Sequence, residues 1–166
     1  MQTLTLINQI IIGIVSVAFT FQIIYLFLFF LKPERYRKAE TKHKFAIVVP
    51  AHNEADVISA TVRNLLLQKY PKDKFRVFVI ADNCTDDTAE KARRAGAEVY
   101  ERHESDAKKR SRAWALRFGL DAIMKDYSDV EVFTLFDADN FPLPDYIDKM
   151  NDAFDGGVKL DRKSVV

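Results

Sequence analysis

From Phe45 onward the sequence alternates between two apolar patterns, and that alternation leaves few folds open. Phe45–Val49, Phe75–Ala81, Ala97–Glu101 and Val130–Phe136 are short runs rich in β-branched and aromatic residues, the signature of strands. Val57–Gln68, Thr88–Ala95, Ala107–Lys125 and a last stretch from Pro144 to about Phe154 carry apolar residues at helical spacing. Strict alternation of strand and helix implies an α/β fold with a mainly parallel sheet and right-handed crossovers. In such sheets ligands bind beyond the carboxyl ends of the strands. Polar clusters do follow the strands here. Pro50-Ala51-His52-Asn53-Glu54 follows the first, Asp82-Asn83 the second, and Asp137-Ala138-Asp139-Asn140 the fourth.

The last of these clusters sets the chemistry. A buried strand does not end in carboxylates without cost unless it delivers them to a wet edge. Asp137 and Asp139 are the oxygen ligands that a hard divalent cation takes; an acidic turn is the simpler reading of the pair alone. Asp82 can accept from a uracil imide or ribose hydroxyls, or it can close an Asx turn. Residues Pro50 to Glu54 lead toward a helix start, whose free N–H groups suit an anion or a base edge. In the alternative, Asn53 caps that helix and Glu54 complements its dipole, while His52 is a solvated loop residue. Asp86 and Asp87 read as helix-start acids. Lys108-Lys109-Arg110-Ser111-Arg112 places cations where they oppose a helix dipole, a position that an anionic ligand would stabilise. Lys108 reads as solvated, Ala113, Leu116 and Leu120 as core, and Trp114 as core or pocket wall.

The first 31 residues contain no Lys, Arg, Asp or Glu. Ile10–Leu31, at about 1.5 Å per residue, makes a helix of roughly 30 Å, the thickness of a bilayer core. A cleaved signal peptide would want a basic start, which Met1-Gln2-Thr3 does not offer. Residues 4–31 are therefore expected to be a transmembrane anchor that meets the lipid bilayer through residues 10–31. Residues 32–44 form a basic juxtamembrane linker of net charge +4. Positive flanks stay cytoplasmic, which predicts a single-pass protein of the cell (inner) membrane with its body inside. The remainder is mildly acidic, which argues against nucleic acid as a partner. Cys84 is the one cysteine, so no internal disulfide forms. The Asn83-Cys84-Thr85 sequon would be silent in a cytoplasmic domain. Neither G-x-x-x-x-G-K-[ST] nor G-x-G-x-x-G occurs, and Pro142 excludes a calcium loop over 137–148.

Four motifs then coincide in order and spacing: Val48 to Glu54, Val79 to Thr88, Arg110 to Leu116, and Phe136 to Asp139. Together they resemble the nucleotide-binding half of family 2 inverting glycosyltransferases, over about residues 45–155. The chain is similar to bacterial membrane-anchored members that use UDP-sugars to build cell-surface polysaccharides or glycolipids. The resemblance implies a Rossmann-like, mainly parallel sheet, the GT-A nucleotide-binding half and an incomplete one, preceded by one transmembrane helix. It also implies that Pro50, Ala51, His52, Asn53 and Glu54 line a uridine pocket. Asp82 would bind uracil or ribose, and Arg112 would face the nucleotide. Asp137 would hold the ribose or metal side, and Asp139 would coordinate Mn²⁺ or Mg²⁺ on the diphosphate. Ser111 stands where the family usually has glycine. The implied partners are a UDP-sugar donor and a glycan or lipid-linked acceptor.

The family's general base often lies in a Glu-Asp motif, frequently followed by Gln-x-x-Arg-Trp. The chain contains no Glu-Asp pair, no glutamine after Gln68 and no tryptophan after Trp114, and residues 156–166 are not family-like. The expectation is a truncated transferase that binds donor, or else a non-catalytic UDP-sugar-binding fragment. Haloacid dehalogenase-like phosphatases also place D-x-D after a strand, but on the first strand and with Thr or Val where Phe141 stands here.

Overall fold

The computed structural model describes residues 2–29 and 36–157. They fall into two units, divided at Arg35 and Tyr36. The first is a single helix, α1 (Gln2–Phe29). Its span Gln2–Leu28 is long and apolar enough to cross a membrane. Residues 30–35, which hold the end of the expected anchor and the start of the linker, lie outside the described residues, as do residues 158–166 of the expected tail.

The second unit follows the alternation of the sequence. Its elements are β1 (Phe45–Ala51), α2 (Ile58–Leu66), β2 (Phe75–Asp82), α3 (Thr88–Ala95), β3 (Glu98–Arg102), α4 (Arg112–Asp126), β4 (Val132–Leu135) and α5 (Tyr146–Asp155). The strands form one sheet in the order β3-β2-β1-β4, and each adjacent pair is parallel. β1 and β2 alternate their side chains between two cores. Phe45, Ile47, Val49, Val77 and Val79 meet Ile58, Val62 and Leu65 of α2, Ala92 of α3 and Ile147 of α5. Ala46, Val48, Phe78 and Ile80 point the other way and meet Ala115 and Ile123 of α4. Burial on both faces is why these strands read as continuous apolar runs. α4 approaches β2 closely at Gly119, where an added Cβ would lie 2.4 Å from Ile80 Cδ1.

Several boundaries differ from the sequence reading. β1 continues through Pro50 and Ala51. Val48 directs its carbonyl toward the β4 side, where it accepts from Phe136 N–H, so the missing N–H of Pro50 falls on that same side, beyond the last paired residue Leu135. Asp82 is the last residue of β2 rather than the first of a loop. α5 starts at Tyr146 instead of Pro144, and the buried Gln68 side chain accepts from Ile147 N–H at its first turn.

The expected helix over 107–125 is broken in two. One 3₁₀ turn spans Ala107–Lys109, capped by the Asp106 side chain accepting from Lys108 N–H, and Ser111 is extended before α4 begins. The Lys109 carbonyl, which could have continued the helix, accepts from Arg102 Nη2 instead. Only Arg112 of the basic run therefore sits in the first turn of α4, and Lys108 and Lys109 are solvated. Ala113, expected in the core, is exposed, and Trp114 is 39% exposed. Leu116 and Leu120 are partly buried against the second core.

Residues 36–44 are not a free linker, because they dock along α5. Asn151, fully buried, accepts from His43 N–H at 3.0 Å and donates to the Thr41 carbonyl at 2.8 Å. Asp152 accepts from Ala39 N–H. Lys38 and Lys42 both pair with Asp148, and Lys44 pairs with Asp129. The His43 ring bridges Glu131 and Asp155, and its hydrogen bond to Glu131 holds its pKa above the ordinary value, with Asp155 adding to the effect.

Candidate functional site

At the carboxyl edge of the sheet a cleft of about 760 Å³ opens between the loops that follow β1, β2 and β3 and the start of α4. Pro50 and Ala51 at the end of β1, His52, Asn53 and Glu54 in the loop after it, Asp82 at the end of β2 and Arg112 on α4 line it. These residues, far apart in sequence, are brought together in one cleft, whereas Asp137 and Asp139 do not line it. The cleft also takes in Asn83, Cys84, Thr85, His103, Arg110 and Ser111. His103 follows β3, so all four strands deliver polar groups to this edge. The turn-rich Asp82-to-Asp87 stretch signalled Asn83 and Thr85, whereas His103 carried no local signal.

Hydrogen bonds fasten the first two loops to each other. His52 Nδ1 donates to the Asp82 carbonyl at 2.7 Å, which orients the ring across the cleft wall. Asn53 does not cap α2; it lies upstream of that helix at φ 55°, a left-handed conformation that asparagine tolerates. Its Oδ1 accepts from Thr85 N–H at 2.8 Å. The backbone N–H groups of Asn53, Glu54 and Ala55 are engaged by Cys84 Sγ, Thr88 Oγ1 and Asp86 Oδ2. They are therefore not the free anion-binding donors that the sequence suggested. Asp86 also accepts from Thr88 N–H and hydroxyl, and the hydroxyl contact holds its carboxyl below the usual range. The reading of Asp86 as a helix-start acid stands. Cys84 donates its thiol to the Ala51 carbonyl. Burial raises its pKa, which favours the protonated thiol.

The fourth-strand cluster joins the cleft through one ion pair. Asp137 Oδ1 pairs with the Arg112 guanidinium. The turn beneath is pinned by Thr61 of α2, whose buried hydroxyl donates to the Ala138 carbonyl. Asp139 is exposed, and its carboxylate pairs with no cation among the described residues. Asp137 and Asp139 thus stand beyond β4, while Asp82 and the first loop stand beyond β2 and β1. The chain reverses its winding direction between β1 and β4, which is where ligands sit in open parallel sheets. No group of three or more His, Cys, Asp or Glu is gathered to hold a metal by itself among the described residues. Two carboxylates fit a hard cation that keeps waters and completes its shell with substrate phosphates.

Residues 46–160 match the family model described as glycosyl transferase family 2. The chain belongs to glycosyl transferase family 2. A stretch of 47 residues is 38% identical to the probable glycosyltransferase YdaM of Bacillus subtilis, covering 28% of this chain and 11% of that one. Among solved structures, a mannosyltransferase from Pyrobaculum calidifontis, in complex with GDP-mannose and Mn²⁺, superposes with a TM-score of 0.63 at 22% identity, over 85% of this chain and 42% of that one. Staphylococcus aureus TarS in complex with UDP gives 0.50 at 24% identity, over 63% of this chain and 30% of that one. These likenesses establish a GT-A-like fold for this family 2 chain. The chain spans less than half the length of each of these relatives.

Proposed function

We propose that this family 2 chain binds a UDP-sugar in the cleft and forms the donor side of an inverting transferase. The sugar passes to a cell-surface glycan or glycolipid acceptor. The observation that carries the reading is the convergence of Asp82, Arg112 and Asp137 on one edge of the sheet, from both sides of the winding reversal.

Each residue has work that its placement suits. Asp82 presents a carboxylate oxygen to the uracil imide or the ribose. His52 and Pro50 form the wall beside it, with Ala51, Asn53 and Glu54 completing the uridine side. Arg112, now held by Asp137, is placed to turn onto a phosphate. Asp137 and Asp139 would hold Mn²⁺ or Mg²⁺ through carboxylate oxygens. Bound there, the cation would neutralise charge on the departing diphosphate. The carboxylates of the cleft and of the neighbouring turn are assigned to nucleotide and cation, so deprotonation of the acceptor hydroxyl falls to a group outside them. Donor binding without transfer is the second reading, and the assignment of the cleft carboxylates to nucleotide and cation favours it.

The test is calorimetry on the full chain in detergent micelles. UDP is expected to bind, and to bind more tightly with Mn²⁺ than with chelator. A sample that melts cooperatively yet takes up no UDP would end the donor-site reading.

We place α1 across the cell membrane as the anchor, residues 32–44 next to it and the family 2 unit on the cytoplasmic side. The apolar helix and the net positive charge of 32–44 support this. Alkaline phosphatase fused to the C-terminus is then expected to stay inactive in a bacterial host; an active fusion would put the unit on the opposite face.

A further inference from the structure

Arg102 does not line the cleft, yet it is the most connected side chain behind it. It ends β3, in register with Asp82 at the end of β2. Its side chain is 8% exposed. Nη1 donates to Asp82 Oδ1 at 2.6 Å. Nη2 donates to the Lys109 carbonyl at 2.8 Å and reaches Glu104 Oε2 at 3.3 Å. The Glu104 carbonyl in turn accepts from Arg110 Nε, and Glu104 N–H donates to the Asn83 side chain. One face of the guanidinium is thus fixed by the loop after β3, and the other grips a single oxygen of Asp82. Asn83 Nδ2 donates to that same oxygen. Asp82 Oδ2 is engaged by no side chain among the described residues.

We infer that Arg102 is a positioning residue for nucleobase recognition: by holding Oδ1 of Asp82 it fixes the carboxylate so that Oδ2 is the one acceptor presented to the cleft. The inference rests on the nucleotide reading of the cleft. Its physical ground is that a planar guanidinium tied at one edge fixes the plane of a carboxylate gripped at the other. A carboxylate left to rotate loses orientation toward a single imide N–H. The charge at the phosphate side is carried by Arg112, which sits on α4 with its own hold on Asp137.

The experiment uses the full chain in micelles, titrated with UDP and, separately, with inorganic pyrophosphate, both in Mn²⁺. Arg102→Met is expected to weaken UDP binding about tenfold or more while changing pyrophosphate binding less than about twofold. In an Asp82→Asn background the same change is expected to cost less than about twofold further, because the group it acts through has gone. Arg102→Lys keeps a charge beside Asp82 without the fork; it is expected to weaken UDP selectively too, and it carries the test if the methionine variant does not melt cooperatively. Unchanged UDP binding would overturn the inference, as would equal loss of UDP and pyrophosphate or an undiminished cost in the Asp82→Asn background. Wild-type protein that binds pyrophosphate but not UDP would instead overturn the nucleotide reading and this inference with it.

Discussion

Asp139→Ala is expected to abolish the Mn²⁺-dependent part of UDP binding. The carboxylate is exposed at the edge of the sheet and pairs with no cation among the described residues. Asp137 already shares one oxygen with Arg112. Removing Asp139 leaves a single, partly occupied carboxylate, and no other cluster of ligands stands ready among the described residues. Loss of even an outer partner of a ligand costs about 10–100-fold in metal affinity, so loss of a direct ligand should weaken UDP binding in Mn²⁺ by about a hundredfold or more. In chelator the variant and the wild type should bind UDP alike, because the uridine side of the cleft is untouched. The check is paired calorimetry in Mn²⁺ and in chelator. Wild-type affinity in Mn²⁺ for the variant would remove Asp139 from the site.

Gly119→Leu is expected to have the largest effect on stability. The position is helical and its backbone is unstrained, so the need for glycine is one of space. An added Cβ would stand 2.4 Å from Ile80 Cδ1 and 2.5 Å from Ile80 Cγ1. Ile80 is fully buried in the middle of β2 and has no room to yield. α4 must then move off the sheet, at a cost of about 3 kcal/mol or more for the leucine, and a melting point lower by roughly 10 °C or more. Gly119→Ala should fall between, since its helix propensity returns about 1 kcal/mol. The same displacement shifts Arg112 at the head of α4 away from Asp137, so nucleotide affinity should fall along with stability. A leucine variant that melts with the wild type would mean that α4 and β2 do not approach this closely.

The parallel sheet and its functional edge were legible because β1 and β2 are buried on both faces and the acids that follow them have nowhere else to go. Asp137 and the basic run 108–112 carry a local signal, as an acid past a strand and cations near a helix start, whereas Arg112 is singled out within that run by the family resemblance. What stayed hidden depends on partners distant in sequence. Nothing local to Ala107–Lys125 announces a break, because the break is made by Arg102 taking the Lys109 carbonyl. Asn53 has the composition of a helix cap, but Thr85 claims its side chain. Residues 36–44 have the composition of a solvated linker, and Asn151 and the acids of α5, with Asp129 and Glu131, turn them into a docked segment. Ala113 stands at helical spacing from Leu116 and Leu120, yet it is exposed while they pack partly against the second core.

The cleft is assembled from residues near 50, 82, 103 and 112, and no two of its loops are joined by a hairpin because every strand pair is parallel. Contacts of this separation close late and slowly, so the site exists only once the whole sheet does. On the proposed reading, a nucleotide spanning these loops would recognise the finished arrangement alone and act as a thermodynamic clamp. At a concentration a hundred times its Kd it adds about 2.7 kcal/mol to the folded state. The supply of activated sugar would then govern how long the protein itself survives proteolysis, as well as how often it is loaded.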